Sequence, residues 1–284
     1  MKKIIYLLII LIFSSCEDVI EVDLPEDEPR LIIDALIRVD ESAPTINIQV
    51  RASVSGSFFE GTTPARLDEI SIINLDLPTD NNQNVRFLTE TNSGSGVYEV
   101  LSNIDFLLEG ELLLQLQYEG QFFLASTRYV PTVPIDNLEQ GDDILFDDED
   151  IEVEVTFADD AGRDDFYVFD FDFNEFLVIE DEFFQGQEFK FSYFYDKNLE
   201  AGQEVDISIL GADREFFNYM DKLIEQGGPN PGPFGTPAAT VRGNLFNVTE
   251  LDNMDVFDNV DMPNNFALGY FAVVQEFTQS IVIQ

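Results

Sequence analysis

The chain has 284 residues, 56 acidic and 14 basic, giving a formal charge of −42 at pH 7. A body this acidic is repelled by phosphate backbones and anionic membrane surfaces, which excludes nucleic-acid binding. With no His and a single Cys, it also has no imidazole base, no His-containing triad, no Cys/His zinc site and no internal disulfide, while 45% hydrophobic residues including 27 Phe give ample material for a folded core.

In chain order, Lys2 and Lys3 precede an apolar run from Ile4 to Phe13, and Ser14-Ser15 lead into Cys16. A run of about ten apolar residues is half the roughly 20 that a membrane-spanning helix needs, so residues 1–15 read as a signal peptide. Phe13-Ser14-Ser15-Cys16 looks like a lipobox, in which the Cys16 thiol is acylated and becomes the first mature residue. Two of the 14 basic residues lie in that leader, so 12 face the 56 acids in the mature chain, a formal charge of −44. Residues 16–30, acidic and carrying Pro25 and Pro29, suit a lipidated tether.

Residues 31–130 predict an N-terminal β-sandwich. Leu31 to Val39 and Thr45 to Ser53 alternate apolar and polar side chains at the period of half-buried strands. Further strands are predicted at Glu69 to Leu75, Val85 to Thr89, Gly96 to Leu101, Glu111 to Tyr118 and Gln121 to Arg128, separated by Gly, Pro and Asn clusters. Residues 131–150 read as an acidic linker, densest at Asp142-Asp143 and Asp147-Asp148-Glu149-Asp150. A calcium loop is the sharper reading of that run, but its spacing matches no EF-hand.

Residues 151–284 predict a C-terminal β domain. Its opening reads as a hairpin, with Ile151 to Phe157 and Tyr167 to Phe173 joined at Ala161-Gly162-Arg163. That register sets Phe157 opposite Tyr167, Glu154 opposite Asp170, Glu152 opposite Asp172, and Asp159 opposite Asp165. Like charges in direct opposition are destabilising, so Glu152, Glu154, Asp170 and Asp172 become a candidate cation site, with Ca²⁺ as the ion. Strands are predicted again at Phe189 to Tyr195, Glu204 to Leu210, Val241 to Val248 and Ala267 to Ile283. Between them Phe216, Phe217, Met220, Leu223 and Ile224 recur at helical spacing, predicting one amphipathic helix over 214–226 with Asp213 as its N-cap. The loop that follows carries Pro229, Pro231, Pro233, Phe234 and Pro237, cannot enter a sheet, and is a candidate partner contact. The expected fold is therefore mostly β, with two β-sandwich-like domains in tandem and one amphipathic α-helix in the second.

Several stretches then point to a family. Cys16-Glu17-Asp18-Val19-Ile20-Glu21-Val22-Asp23-Leu24-Pro25, Pro29 to Ile33, Gly232 to Pro237, Gly243-Asn244 and Leu268-Gly269-Tyr270-Phe271 resemble a Bacteroidota outer-membrane lipoprotein family of unknown function. The resemblance implies a lipoprotein on the outer membrane whose gene commonly neighbours that of a TonB-dependent receptor. Glu17 and Asp18 are similar to the acidic signal that exports such lipoproteins to the cell surface. It supplies no catalytic residues.

The expected function is a non-catalytic binding or accessory subunit of a TonB-dependent nutrient uptake system. It would be held in the outer membrane by lipid and contact a small ligand, peptide or glycan. Two alternatives stay open: a carboxylate-dependent, glycosidase-like hydrolase, which needs only two suitably spaced acids, and a calcium-dependent surface adhesin or structural protein.

Overall fold

A computed structural model describes residues 29–56, 61–143, 151–195, 199–227, 240–249 and 266–284. In these residues the chain forms β1 (Leu31–Val39), β2 (Thr45–Val54), β3 (Thr63–Pro64), β4 (Glu69–Asn74), β5 (Val85–Phe87), β6 (Thr89–Glu90), β7 (Val97–Asn103), β8 (Leu112–Tyr118) and β9 (Gln121–Thr127). It continues with β10 (Tyr129–Val130), β11 (Ile135–Gln140), β12 (Ile151–Ala158), β13 (Phe166–Asp170), β14 (Phe176–Glu180), β15 (Glu188–Tyr195), β16 (Glu204–Ala212), β17 (Phe246–Asn247) and β18 (Leu268–Val282). Helices are Asp105–Leu108 and Arg214–Gly227. The mostly-β expectation is borne out, and the alternation read in β1 and β2 is the burial seen: Leu31, Ile33, Ala35, Ile37 and Val39 lie inside, as do Ile48, Val50 and Ala52.

Two sandwiches are built on one long sheet. That sheet has ten strands, with the main order β14-β13-β16-β18-β1-β2-β7-β6. The first sandwich packs its β1, β2 and β7 against the five-stranded sheet β17-β9-β8-β4-β5, burying Ile33, Ile48 and Tyr98 against Ile72, Leu114 and Phe123. The second packs β13, β16 and the end of β18 against the three-stranded sheet β11-β12-β15, burying Tyr167, Phe169 and Ile207 against Val155, Phe157 and Tyr195.

The last strand joins the two. Residues 268–275 of β18 run parallel to β1, with Ile32 beside Leu268 and Val39 beside Gln275. Residues 276–282 then run antiparallel to β16, from Leu210–Glu276 to Glu204–Val282. Its 15 residues reach about 50 Å at ~3.3 Å each, enough to serve both halves. A strand expected to close the C-terminal part is thus also a central strand of the first sandwich. Both its faces are covered there, by Phe271 and Val273 on one side and Ala272 and Val274 on the other.

The structure overturns the predicted β12–β13 hairpin. β12 lies between β11 and β15, whereas β13 lies between β14 and β16 in the other sheet. Phe157 and Tyr167 do meet, with rings 5.0 Å apart, but across the sandwich and not along a ladder. The chain crosses between sheets at 159–165 because β13 is apolar on both faces. Tyr167 and Phe169 face the second sandwich core, and Phe166 and Val168 face the helix.

That helix is where its period placed it. The Asp213 side chain accepts a bond from Phe216 N at 2.7 Å, satisfying a free N–H of the first turn. Phe216 and Met220 are buried, Phe217 packs on Phe166 at 5.1 Å, and Leu223 at the far end is 43% exposed. Residues 131–150 are not simply a linker, since Ile135–Gln140 pairs with β12. A register shift between Ile135 and Asn137 lets Ile135 and Leu138 both face the core, which disguises the strand's period.

The motifs that carried the family resemblance include a backbone clasp. Gly269, at φ +93°, lies against the Ile33 carbonyl, and Gly243 lies against the Gly269 carbonyl, so a side chain at either would collide with backbone. Beside them Asn244 accepts from Phe271 N at 2.9 Å and donates to Phe271 O at 2.9 Å, imitating a strand neighbour.

Candidate functional site

The outer face of the long sheet carries a groove where the two sandwiches meet. Its larger part, about 670 Å³, lies between Asp34, Leu36 and Arg38 of β1 and the turn Asp172-Phe173-Asn174 with Phe176. A further 240 Å³ shares Asp34, Leu36 and Arg38 and extends along β2 to Gln49 and Arg51. Strand alternation puts these side chains there, since the core-facing residues of β1 and β2 leave the intervening positions outward.

Arg38 is the centre of the groove. It donates to Asp170 Oδ2 at 2.6 Å and to Glu276 Oε1 at 3.2 Å, linking β1, β13 and β18. Burial by itself would lower the guanidinium pKa; the bond to Asp170 and the charges of Glu276 and Asp170 outweigh it and raise it. Asp170 has a second duty, because its Oδ1 accepts from Asp172 N at 3.0 Å and so starts the turn.

The turn itself is strained. Asp172, Phe173 and Asn174 all have positive φ, at 63°, 53° and 62°. Asp and Asn tolerate that region through local hydrogen bonds, and Asp172 indeed accepts from Phe173 N at 2.8 Å; Phe does not belong there. The second sheet holds the turn from below. Tyr195 donates to Phe171 O at 2.9 Å, Tyr193 donates to Glu175 Oε2 at 2.6 Å, and the Tyr193 ring stacks on Phe171 at 3.7 Å. Phe173 is consequently fixed with 38% of its surface exposed beside the groove. Strain over-determined in this way concentrates at binding sites.

The structure does not assemble the four carboxylates predicted to bind a cation. Glu154 pairs with Lys190 Nζ at 2.9 Å, and the same ammonium reaches Glu139 at 3.1 Å. Glu139 and Glu154 do stand opposite each other, so the like-charge repulsion exists, but a lysine relieves it. Glu152 is buried and accepts from Asp143 N at 2.8 Å. Asp170 and Asp172 lie on the other sheet, in the groove. Among the described residues no group of three or more carboxylates is placed to hold a metal ion.

Asp159 and Asp165, also predicted to face each other, are brought together differently. The buried Tyr167 hydroxyl donates to Asp159, and it lies 3.2 Å from Asp165, which also accepts from Arg163. Burial raises the Asp165 pKa against the opposing pull of Arg163. Cys16, Glu17, Asp18, the acidic run at 147–150 and the loop with Pro229, Pro231, Pro233, Phe234 and Pro237 lie outside the described residues.

The groove residues were not singled out together from sequence. Arg38 and Phe173 each had a legible oddity: a cation on an outward strand position of a strongly acidic chain, and an aromatic residue between Asp and Asn. Their proximity, however, depends on pairings across the whole chain.

Among curated proteins, none matches this chain significantly. A family described as a domain of unknown function, DUF4249, matches residues 17–280, which is most of the chain, so the chain belongs to the DUF4249 family.

Proposed function

We propose that this DUF4249 chain is a surface-exposed outer-membrane lipoprotein that serves as a non-catalytic binding subunit of a TonB-dependent uptake system in a member of the Bacteroidota. Cys16 carries the lipid, Glu17 and Asp18 direct export, and the loop bearing Pro229 to Pro237 contacts the receptor barrel. The family match beginning at residue 17, directly after Cys16, supports a mature domain that starts at the lipid.

The observation that carries the binding reading is the groove around Arg38. It lies where two sandwiches share a sheet, and its aromatic edge is held exposed by a strained turn. A glycosidase-like reading needs two carboxylates free for two roles. In the groove, Asp170 is committed to Arg38 and Asp172 to the turn, leaving Asp34 without a partner among the described residues. One unengaged acid suits recognition better than hydrolysis.

Tagging the C-terminus and isolating the chain from gently solubilised outer membranes tests the proposal. The expected result is co-purification of a β-barrel receptor, lost with Cys16→Ser. Recovery of the lipidated chain with no barrel would overturn it.

A further inference from the structure

A second cavity lies along the long helix, where Tyr270 of β18 stands beside Asp34 of β1. It measures about 310 Å³ and is walled by Glu215, Asn218, Tyr219 and Lys222 of the helix, by Arg242, and by Tyr270 of β18. The four helical residues follow i, i+3, i+4, i+7 spacing and so share one face.

Its lining is less acidic than the rest of the molecule. The chain has four acids for each base, whereas this wall carries Lys222, Arg242 and Glu215, with the charges of Asp34 and Asp213 also reaching the two tyrosines. Arg242 is oriented, because its guanidinium lies over the Phe266 ring at 3.9 Å, a ring that Arg30 also covers at 4.1 Å. Lys222 makes no ion pair with any described residue. Tyr219 and Tyr270 stand together with ring centroids 4.8 Å apart, backed by Phe216 at 5.1 Å from Tyr270. Neither tyrosine hydroxyl has a hydrogen-bond partner among the described residues. Burial holds both phenols protonated, so each offers a donor and an acceptor.

We infer that this cavity binds an acidic sugar, with the carboxylate of a uronic acid between Lys222 and Arg242 and the pyranose ring on the Tyr219–Tyr270 pair. Two cations account for the carboxylate. The aromatic pair offers an apolar face for the ring's C–H groups, and the two hydroxyls with Asn218 match its alcohols. A peptide C-terminus would also satisfy the cations and its amides could meet the hydroxyls, but it has no pyranose C–H face to lay on the Tyr219–Tyr270 pair. The site shares no lining residue with the Arg38 groove, although Asp34 of the groove neighbours Tyr270, and it does not rest on the proposed membrane partner.

Calorimetric titration of the full-length chain in detergent tests it, using a galacturonic-acid trisaccharide, its neutral galactose counterpart, and a short peptide with a free C-terminal carboxylate. The acidic trisaccharide is expected to bind at least about tenfold more tightly than either other probe. Lys222→Gln and Arg242→Gln should each weaken it by about tenfold, and Lys222, being exposed, can be changed without disturbing the fold. Equal binding of the neutral sugar, preference for the peptide, or no binding at all overturns the inference. So does binding that survives Lys222→Gln but is lost with Asp172→Asn, which would move the sugar to the groove and leave the receptor proposal intact.

Discussion

Arg38 and Asp170 lie 132 positions apart in the chain and 2.6 Å apart in space, joining a strand of the first sandwich to a strand of the second. The same Asp170 begins the strained turn that presents Phe173, so one ion pair couples the junction to the groove edge. Asp170→Ala should lower unfolding free energy by about 1–3 kcal/mol, the usual cost of losing a hydrogen bond to a charged partner. Urea unfolding of Arg38→Ala, Asp170→Ala and the double variant checks this. A coupling under ~0.5 kcal/mol would mean the pair is an idle surface contact.

Phe173 sets backbone strain against packing, since its φ is 53° while its ring meets Tyr195 edge-on at 6.4 Å. Phe173→Asn places a side chain that tolerates positive φ at 53°, so stability should hold or rise by up to ~1 kcal/mol even though an aromatic ring is lost. Thermal melts decide it. A clear drop in midpoint would show that the ring is there for packing.

Gly269 and Gly211 are among the glycines at which an added Cβ would meet backbone. Gly269→Ala should prevent stable folding, because the new Cβ meets Ile33 backbone at the β1–β18 junction. Gly211→Ala should be similarly harmful, since its Cβ would lie 2.7 Å from the Val130 carbonyl. Gly202→Ala is the control: its φ is also positive, at +92°, but nothing lies within 4 Å, so it should cost only about 1 kcal/mol. Soluble yield and circular dichroism distinguish the three.

Thr132 is buried with its Oγ1 lacking any hydrogen-bond partner among the described residues. Thr132→Val keeps the shape and removes the stranded hydroxyl, so stability should be unchanged or increase by about 1 kcal/mol. A loss of similar size in urea unfolding would reveal a partner for that oxygen.

Asp165 gives a pH signature. Burial raises its pKa above the ordinary 3.8, so the folded chain binds this proton more tightly than the unfolded one. The stability it contributes is fully present below the unfolded pKa and is lost as pH rises through the folded one. Asp165→Asn removes that loss. The stability of the variant relative to the natural chain should therefore rise as pH increases from the acid range towards neutral. Urea midpoints across that range would contradict this if the difference fell instead.

Local periodicity determined much of the secondary structure. The alternation of β1 and β2, the apolar stripe of Arg214–Gly227 and its Asp213 cap follow from side-chain spacing alone, because each depends on neighbours within a few residues. The absence of histidine, and with it of imidazole chemistry, is likewise compositional. Other features follow only from tertiary structure. β11 hides behind a bulge, β14 behind a turn with neither Gly nor Pro, and the β12–β13 pairing fails because both edges of each strand are taken by partners elsewhere in the chain. The clasp of Gly243, Gly269 and Ile33, and both candidate binding cavities, exist because β18 returns to lie beside β1 more than 230 residues later. Strand period reports which way a side chain points. Only long-range pairing decides what it meets, because the hydrogen-bonding edge of one strand is chemically the same as that of any other.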